Sequence, residues 1–224
     1  MGQRETHERH TRELVLKAAC EVFARDGYHD GTVGKICDAA GANRAAVNYY
    51  FGDKENLYRE VWNHSLAVSL AAYPMETPEA GSSAEERLRS FMRSLVLRAF
   101  DPGPAGWFTR LLAFELTDPQ DFLEEERLAS RMRIQTHFES LMRELLGDGA
   151  TEDDLTTCRI MVFAPSIGVG IRRFVHHAKH MHSEGVKLDP EGTAERMYEF
   201  ASAGLANLRQ SIESRETSAR GGGR

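Results

Sequence analysis

The chain has 224 residues, of which 41% are hydrophobic and 28% charged, a composition that suits one large or two modest folded domains and excludes a disordered or fibrous chain. Its formal net charge of −6 excludes indiscriminate coating of nucleic acid, although a local basic patch suffices for a site-specific binder. No stretch approaches the roughly 18 consecutive apolar residues of a membrane span, and the charged start MGQRETHERHTREL lacks the apolar core of a secretory signal, so a cytoplasmic protein without a membrane segment is expected.

Helical spacing dominates, and no alternating strand pattern is convincing, which predicts an all-α fold. In RELVLKAACEVFARDG, Leu14, Ala18 and Val22 form one i, i+4 row and Val15, Ala19 and Phe23 the next, with Gly27 as the helix stop. Thr32 is the expected N-cap of a two-turn helix whose Val33, Ile36 and Ala40 face inward, and Gly41 marks a sharp turn. Asn43 then caps a third short helix, in which Val47 and Phe51 share an inward face while Arg44 and Asn48 share another. Asp53 caps a longer fourth helix through Leu57, Val61 and Trp62.

PMETPEAGSSAEE, residues 74 to 86, reads as a connection, and Ser83 with Glu86 is a capping box for the next helix. That helix presents Leu88, Phe91, Met92, Leu95 and Ala99 to a core. Further helices are expected over 107–116, from about 119 to 146, from 151 to about 180, and from 190 to 213, where Met197, Ala201, Leu205, Leu208 and Ile212 recur at steps of three or four. Residues 214–224 have nothing to bury and are expected to be a disordered tail. Cys20, Cys37 and Cys158 form no CxxC pair and are odd in number, so buried thiols are expected and no disulfide framework or metal cofactor.

Two short helices about a glycine turn make a helix-turn-helix, whose second helix can enter a DNA major groove. Arg44 can donate twice to guanine, Asn48 can pair with an adenine edge, and Ala45 lets the backbone approach. Thr32, Lys35, Tyr49 and Lys54 suit phosphates, Lys54 at the positive end of its helix, and Asn43 belongs to the same surface as the cap. Over residues 1 to 70 there are nine Lys/Arg and ten Asp/Glu, so most of those acids must face away from DNA. Arg4, Arg9 and Arg12 are open to two readings, an arm on the DNA backbone or a solvated helix end.

The run RELVLKAACEVFARDGYHDGTVGKICDAAGANRAAVNYYFGDKENLYREV resembles the N-terminal domain of the TetR family of transcriptional regulators over about fifty residues. VNYYFGDKENLY resembles its CecR-type branch in particular. The resemblance implies an N-terminal three-helix helix-turn-helix DNA-binding domain, here residues 1–72, joined to a C-terminal helical ligand-binding and dimerisation domain, residues 73–213. It implies a homodimer on a palindromic double-stranded DNA operator, usually a repressor released by a small-molecule effector, with phosphate contacts at Thr32, Tyr49 and Lys54 and base contacts around Arg44, Ala45 and Asn48. Asn43 and Arg44 stand where a serine and a lysine-like residue are more usual, and Asn48 where many members carry an aromatic, so a different operator is expected.

In the second part, Trp107, Phe108, Leu111 and Glu115 lie on adjoining faces of one helix, either as pocket lining, with the carboxylate selecting a cationic or hydroxylated ligand, or as core. Pro165, with Gly168 and Gly170 beyond it, predicts a kink or break near 161 to 168 that shapes a cavity beside Met161 or fits neighbouring helices. His176 and His180 at i, i+4 in HHAKHMH are either metal ligands or a solvated helix end. The last two helices are rich in small residues and suit a four-helix interface between two copies. Two other classes compete with a regulator. A helical enzyme or metal protein lacks a nucleophile with its base, a phosphate loop and a complete metal set, and a protein-binding module would keep the helix-turn-helix without reading DNA.

Overall fold

The computed structural model of the protein describes residues 3–75, 81–179 and 188–221, and the side chains of 6–75, 81–168 and 188–218. Among the described residues the regular structure is entirely helical: α1 Gln3–Asp30, α2 Val33–Ala40, α3 Arg44–Phe51, α4 Lys54–Ala72, α5 Ala84–Phe100, α6 Trp107–Thr117, α7 Glu124–Leu146, α8 Glu152–Lys179 and α9 Pro190–Gly221. Short 3-10 turns at Pro104–Gly106 and Asp121–Leu123 precede α6 and α7.

The chain forms two compact units, residues 1–72 with 101–130, and residues 73–100 with 131–224. It therefore passes between them at 72/73, 100/101 and 130/131, where the sequence reading has a single passage at 72/73. In the first unit α1 packs on α2, α4 and α6 around Val15, Ala19, Phe23, Ile36, Leu57 and Trp62, all at most 1% exposed. Cys20 is buried against the Ser65 hydroxyl, and burial pushes its thiol up to about 12. Leu14, expected in that core row, is 42% exposed because it falls at the edge of the α1 stripe. Helical geometry in α1 breaks at Gly27, where φ is 73° and ψ −175°, a region essentially closed to other residues.

In the second unit α5 packs on α8 and α9. Leu88, Phe91, Met92, Phe138, Leu155, Val162, Leu205 and Ile212 share its core, so the steps of three and four in α5 and α9 are core periodicity. The expected capping box closes: Ser83 Oγ accepts from the Glu86 N–H and the Glu86 carboxylate accepts from the Ser83 N–H, at 3.2 and 2.8 Å.

Three expectations are corrected. Helix α7 begins at Glu124 rather than near Pro119, because the Gln120 N–H turns back to the Glu115 carboxylate and a 3-10 turn intervenes. Helix α8 runs through Pro165 without a break, since a single missing N–H is tolerated where Cys158 and Val162 anchor the helix in the core. Residues 214–221 are helical rather than a disordered tail: Ile212 is buried, Arg215 pairs with Asp154 at 2.7 Å, and a side chain at Gly149 would overlap Glu216.

Candidate nucleic-acid interface

The turn between α2 and α3 is built by side-chain caps and one left-handed glycine. Thr32 Oγ1 accepts from the Lys35 N–H at 3.3 Å, and Asn43 Oδ1 accepts from the Ala46 N–H at 2.9 Å. Gly41 between the helices has φ 62°, and its N–H returns to the Cys37 carbonyl. Asp53 Oδ1 accepts from the Asn56 N–H at 2.7 Å and caps α4 in the same way. Three successive helix starts thus have their orphan donors satisfied within a few residues, which sets where each short helix begins.

On α3, Val47 and Phe51 are 1% and 6% exposed, and the Arg12 guanidinium covers the Phe51 ring at 4.9 Å. Arg12 also bonds the Glu60 carboxylate at 2.7 Å, so it braces α1 against α4 instead of forming an arm. The opposite row of α3, Arg44, Ala45, Asn48 and Tyr49, is exposed, with Tyr49 at 73% and its ring edge-on to Tyr50. Thr32 and Arg44 come together: a side-chain atom at Gly34 would lie 3.7 Å from the Thr32 hydroxyl and 3.8 Å from an Arg44 guanidinium nitrogen. Both distances are ordinary van der Waals contacts, so the Arg44 guanidinium and the Thr32 hydroxyl flank Gly34 at the start of α2.

The two lysines expected on phosphates have partners within the protein. Lys35 Nζ lies 2.9 Å from Asp26 and 3.0 Å from the Asp30 carbonyl, while Arg25 grips the same carboxylate. The Arg25 hydrogen bond, with Lys35 adding to it, holds the Asp26 carboxyl below its usual range. Lys54 Nζ sits 4.3 Å above the Tyr28 ring and reaches the His29 carbonyl at 3.4 Å. Burial lowers the Lys54 ammonium, so its charge is less well solvated than that of a free surface lysine. Both cations are thus held at the end of α1, at the edge of the α2–α3 surface, by pairs that span different helices and carry no local sequence pattern.

The residues expected to line a ligand pocket fall into both units. Trp107, Phe108 and Leu111 of α6 are 6%, 5% and 0% exposed in the first unit, with Trp62 edge-on to Phe108 at 4.9 Å. Glu115 is 5% exposed, and its carboxylate accepts from the Tyr58 hydroxyl at 3.1 Å, the Gln120 N–H at 2.9 Å and Arg127 at 2.6 Å. Burial, with the Glu115 charge adding to it, raises the Tyr58 phenol, which stays a neutral donor. Met161, by contrast, is 65% exposed and lines a cavity in the second unit. The histidine run 176–182 lies outside the residues whose side chains are described. Among the described residues no cluster of His, Cys, Asp and Glu is arranged to hold a metal ion, and no helix is long and apolar enough to cross a membrane.

Residues 15–61 match the family model for bacterial regulatory proteins of the tetR family, and residues 84–202 match that for the C-terminal domain of the HTH-type transcriptional dual regulator CecR. The chain is similar to the HTH-type transcriptional repressor NicS of Pseudomonas putida, with 38% identity over 66 residues, 30% of this chain and 31% of that protein. It is also similar to the HTH-type transcriptional repressor AcnR of Corynebacterium efficiens, with 39% identity over 113 residues, 49% of this chain and 53% of that protein. The chain thus spans about a third and about half of the lengths of these two relatives. Among solved structures, a TetR transcriptional regulator from Chloroflexus aurantiacus aligns with a TM-score of 0.67 at 17% identity, over 90% of this chain and 96% of that one, a likeness of fold.

Proposed function

Because the chain belongs to the TetR family of bacterial regulatory proteins, in its CecR branch, we propose that it is a cytoplasmic, sequence-specific DNA-binding regulator, a homodimeric repressor of a palindromic operator that a small-molecule effector releases. The observation that carries this reading is the division of α3, with Val47 and Phe51 buried and Arg44, Ala45, Asn48 and Tyr49 exposed on a helix of eight residues. Such a helix has one rigid face and one face free for base edges. In this reading Arg44 pairs with a guanine and Asn48 with an adenine, and Ala45 packs on a thymine methyl. Thr32, Asn43, Tyr49, Lys35 and Lys54 set the register on phosphates, the two lysines by exchanging their internal partners for the DNA backbone.

Residues 1–72 are the DNA-binding part in this reading, and residues 73–213 provide effector binding and dimerisation. Ile160, Met161 and Phe200, on the last two helices, are 59%, 65% and 79% exposed. Large apolar side chains left in water on two long helices favour a second copy as their cover. A dimer in turn supplies two reading heads at half-sites one helical turn, ~34 to 36 Å, apart. The effector acts by binding one arrangement of the dimer more tightly than the other.

Selection of bound sequences from a random duplex library by the purified protein, at one stated moderate salt concentration, tests this reading. A palindrome with half-sites a helical turn apart is the expected product. Recovery of unenriched sequences by protein shown to be folded would overturn it.

A further inference from the structure

Three charged side chains are buried among the described residues: Arg98, Glu115 and Asp154. Glu115 is offset by Arg127 at 2.6 Å and Asp154 by Arg215 at 2.7 Å. Arg98, in α5 of the second unit, is 4% exposed and has no carboxylate partner among the described residues. Burial by itself lowers its guanidinium to about 10, with no acid near enough to offset the loss of water, and it remains charged at neutral pH. A charge taken out of water without a counter-charge is costly, and arginine is seldom fully buried unless paired.

The partners of Arg98 are neutral and leave part of it free. Nε and Nη2 donate to the Tyr73 carbonyl at 3.2 and 2.9 Å, and Nη2 also donates to the Ser94 hydroxyl, which itself donates to Tyr73. Three of the five N–H donors of a guanidinium are thereby used, and the two on Nη1 are left over. Among the described residues, the unpartnered side-chain nitrogens and oxygens sealed from solvent are Trp62 Nε1, Ser69 Oγ and Arg87 Nε. Nη1 of Arg98 is not one of them, so it opens onto accessible space from a side chain that is otherwise enclosed. The face of α5 that carries Arg98 is apolar otherwise: Phe91, Leu95 and Arg98 follow at i, i+4 and i+7, and Phe163 of α8 lies edge-on to Phe91 at 5.7 Å. Leu95, one turn before Arg98, and Phe163 are only partly buried, which leaves apolar surface on the same side.

We propose that Arg98 anchors a site for a small monocarboxylic acid, whose carboxylate accepts from Nη1 and whose aromatic or hydrocarbon body lies against Leu95 and Phe163. A carboxylate supplies the single negative charge that one guanidinium needs, and the planar, weakly hydrated guanidinium suits a desolvated ion pair better than an ammonium does. The other arginines of α5, Arg87, Arg89 and Arg93, are committed to Glu144, Glu195 and Glu191. A phosphate dianion would therefore bring a second charge that nothing on α5 offsets, and a sugar would set unpaired hydroxyls against leucine and phenylalanine. In the reading of the protein as an effector-responsive regulator, on which this role rests, the acid is the effector. It turns an uncompensated buried charge into an ion pair, and so favours the arrangement of the second unit that holds Arg98 inside.

Calorimetric titration of the full-length protein with octanoate and benzoate, beside octanamide and benzamide, tests the assignment. The acids bind at least tenfold more tightly than their amides, and Arg98→Gln lowers the acids to the affinity of the amides. A guanidinium that serves only to hold the Tyr73 carbonyl gives equal binding of acid and amide to the wild type, which overturns the assignment, as does no binding of either acid to folded protein. Should Arg98→Gln not fold, wild-type crystals grown with 4-iodobenzoate decide. A carboxylate within hydrogen-bond distance of Arg98 upholds the site, and iodine located only elsewhere overturns it. Protein that selects a palindromic operator yet binds no acid refutes this assignment alone. Protein that binds the acids in the Arg98-dependent way yet selects no operator upholds the site and refutes the DNA-binding reading.

Discussion

The Tyr58 hydroxyl donates to the Glu115 carboxylate at 3.1 Å, joining the second turn of α4 to α6 inside the first unit. The same carboxylate receives Arg127 at 2.6 Å, so one buried acid ties together α4, α6 and the start of α7. Removing one partner of a buried pair leaves the other uncompensated, a cost of about 3 to 5 kcal/mol. Glu115→Ala should destabilise the protein by about that much. Tyr58→Phe should cost about 1.5 to 3 kcal/mol, since it removes a hydrogen bond to a charged acceptor without opening a cavity. Denaturant unfolding of the two variants checks the order, and equal small losses would show that water replaces the network.

Gly27 lies against Phe114 of α6. A Cβ there would come within 2.8 Å of the ring, and the backbone has φ 73°. Gly27→Ala therefore meets both a clash and a backbone region that costs ~1 to 3 kcal/mol for other residues. The expected result is a fall in thermal midpoint, larger than that of Gly147→Ala, where φ is 85° but nothing lies within 4 Å. Equal falls for the two variants would show that backbone strain alone matters.

The Asp154 carboxylate accepts from the Thr151 N–H at 2.9 Å and from its hydroxyl at 2.7 Å, and pairs with Arg215 at 2.7 Å. The Thr151 backbone hydrogen bond first, then its hydroxyl and Arg215, hold Asp154 below the usual carboxylate range. A depressed folded-state pKa contributes stability that is fully present above the unfolded value of about 4 and is lost as pH falls through the folded value. The gap in stability between wild type and Asp154→Asn should therefore be widest near neutral pH and shrink below about pH 4. Urea unfolding at several pH values measures it, and a gap independent of pH would assign the effect to packing.

Arg44 and Lys54 should part company on DNA. If Arg44 reads a guanine, Arg44→Ala costs ~1 to 3 kcal/mol on the selected operator and relaxes preference at one base pair. Lys54→Ala, at a phosphate, weakens all sequences alike and lowers the salt slope by about one. Binding titrations on selected and random duplexes at two salt concentrations separate the two. Uniform losses for both variants would take Arg44 off the base edges.

The local devices of the first unit were legible because each is made within a few residues. Thr32, Asn43 and Asp53 cap the helices they precede, Gly41 takes the left-handed turn, and Val47 and Phe51 recur at helical spacing. The boundary before α7 and the run of α9 to Gly221 were not legible. The first depends on Gln120 turning back to Glu115, and the second on Arg215 reaching Asp154, 61 residues away.

By itself the sequence determined the helical class, the starts of the short helices and which side of α3 is apolar, because caps, turns and amphipathic spacing act over one or two helical turns. Only the tertiary structure decided that Glu115 is spent on Tyr58, Gln120 and Arg127, that Lys35 and Lys54 are held at the end of α1, and that Met161 lines a cavity with Met197 and Phe200. A buried charge or a free one is defined by which distant helix supplies its partner, and that pairing exists only once the helices have packed.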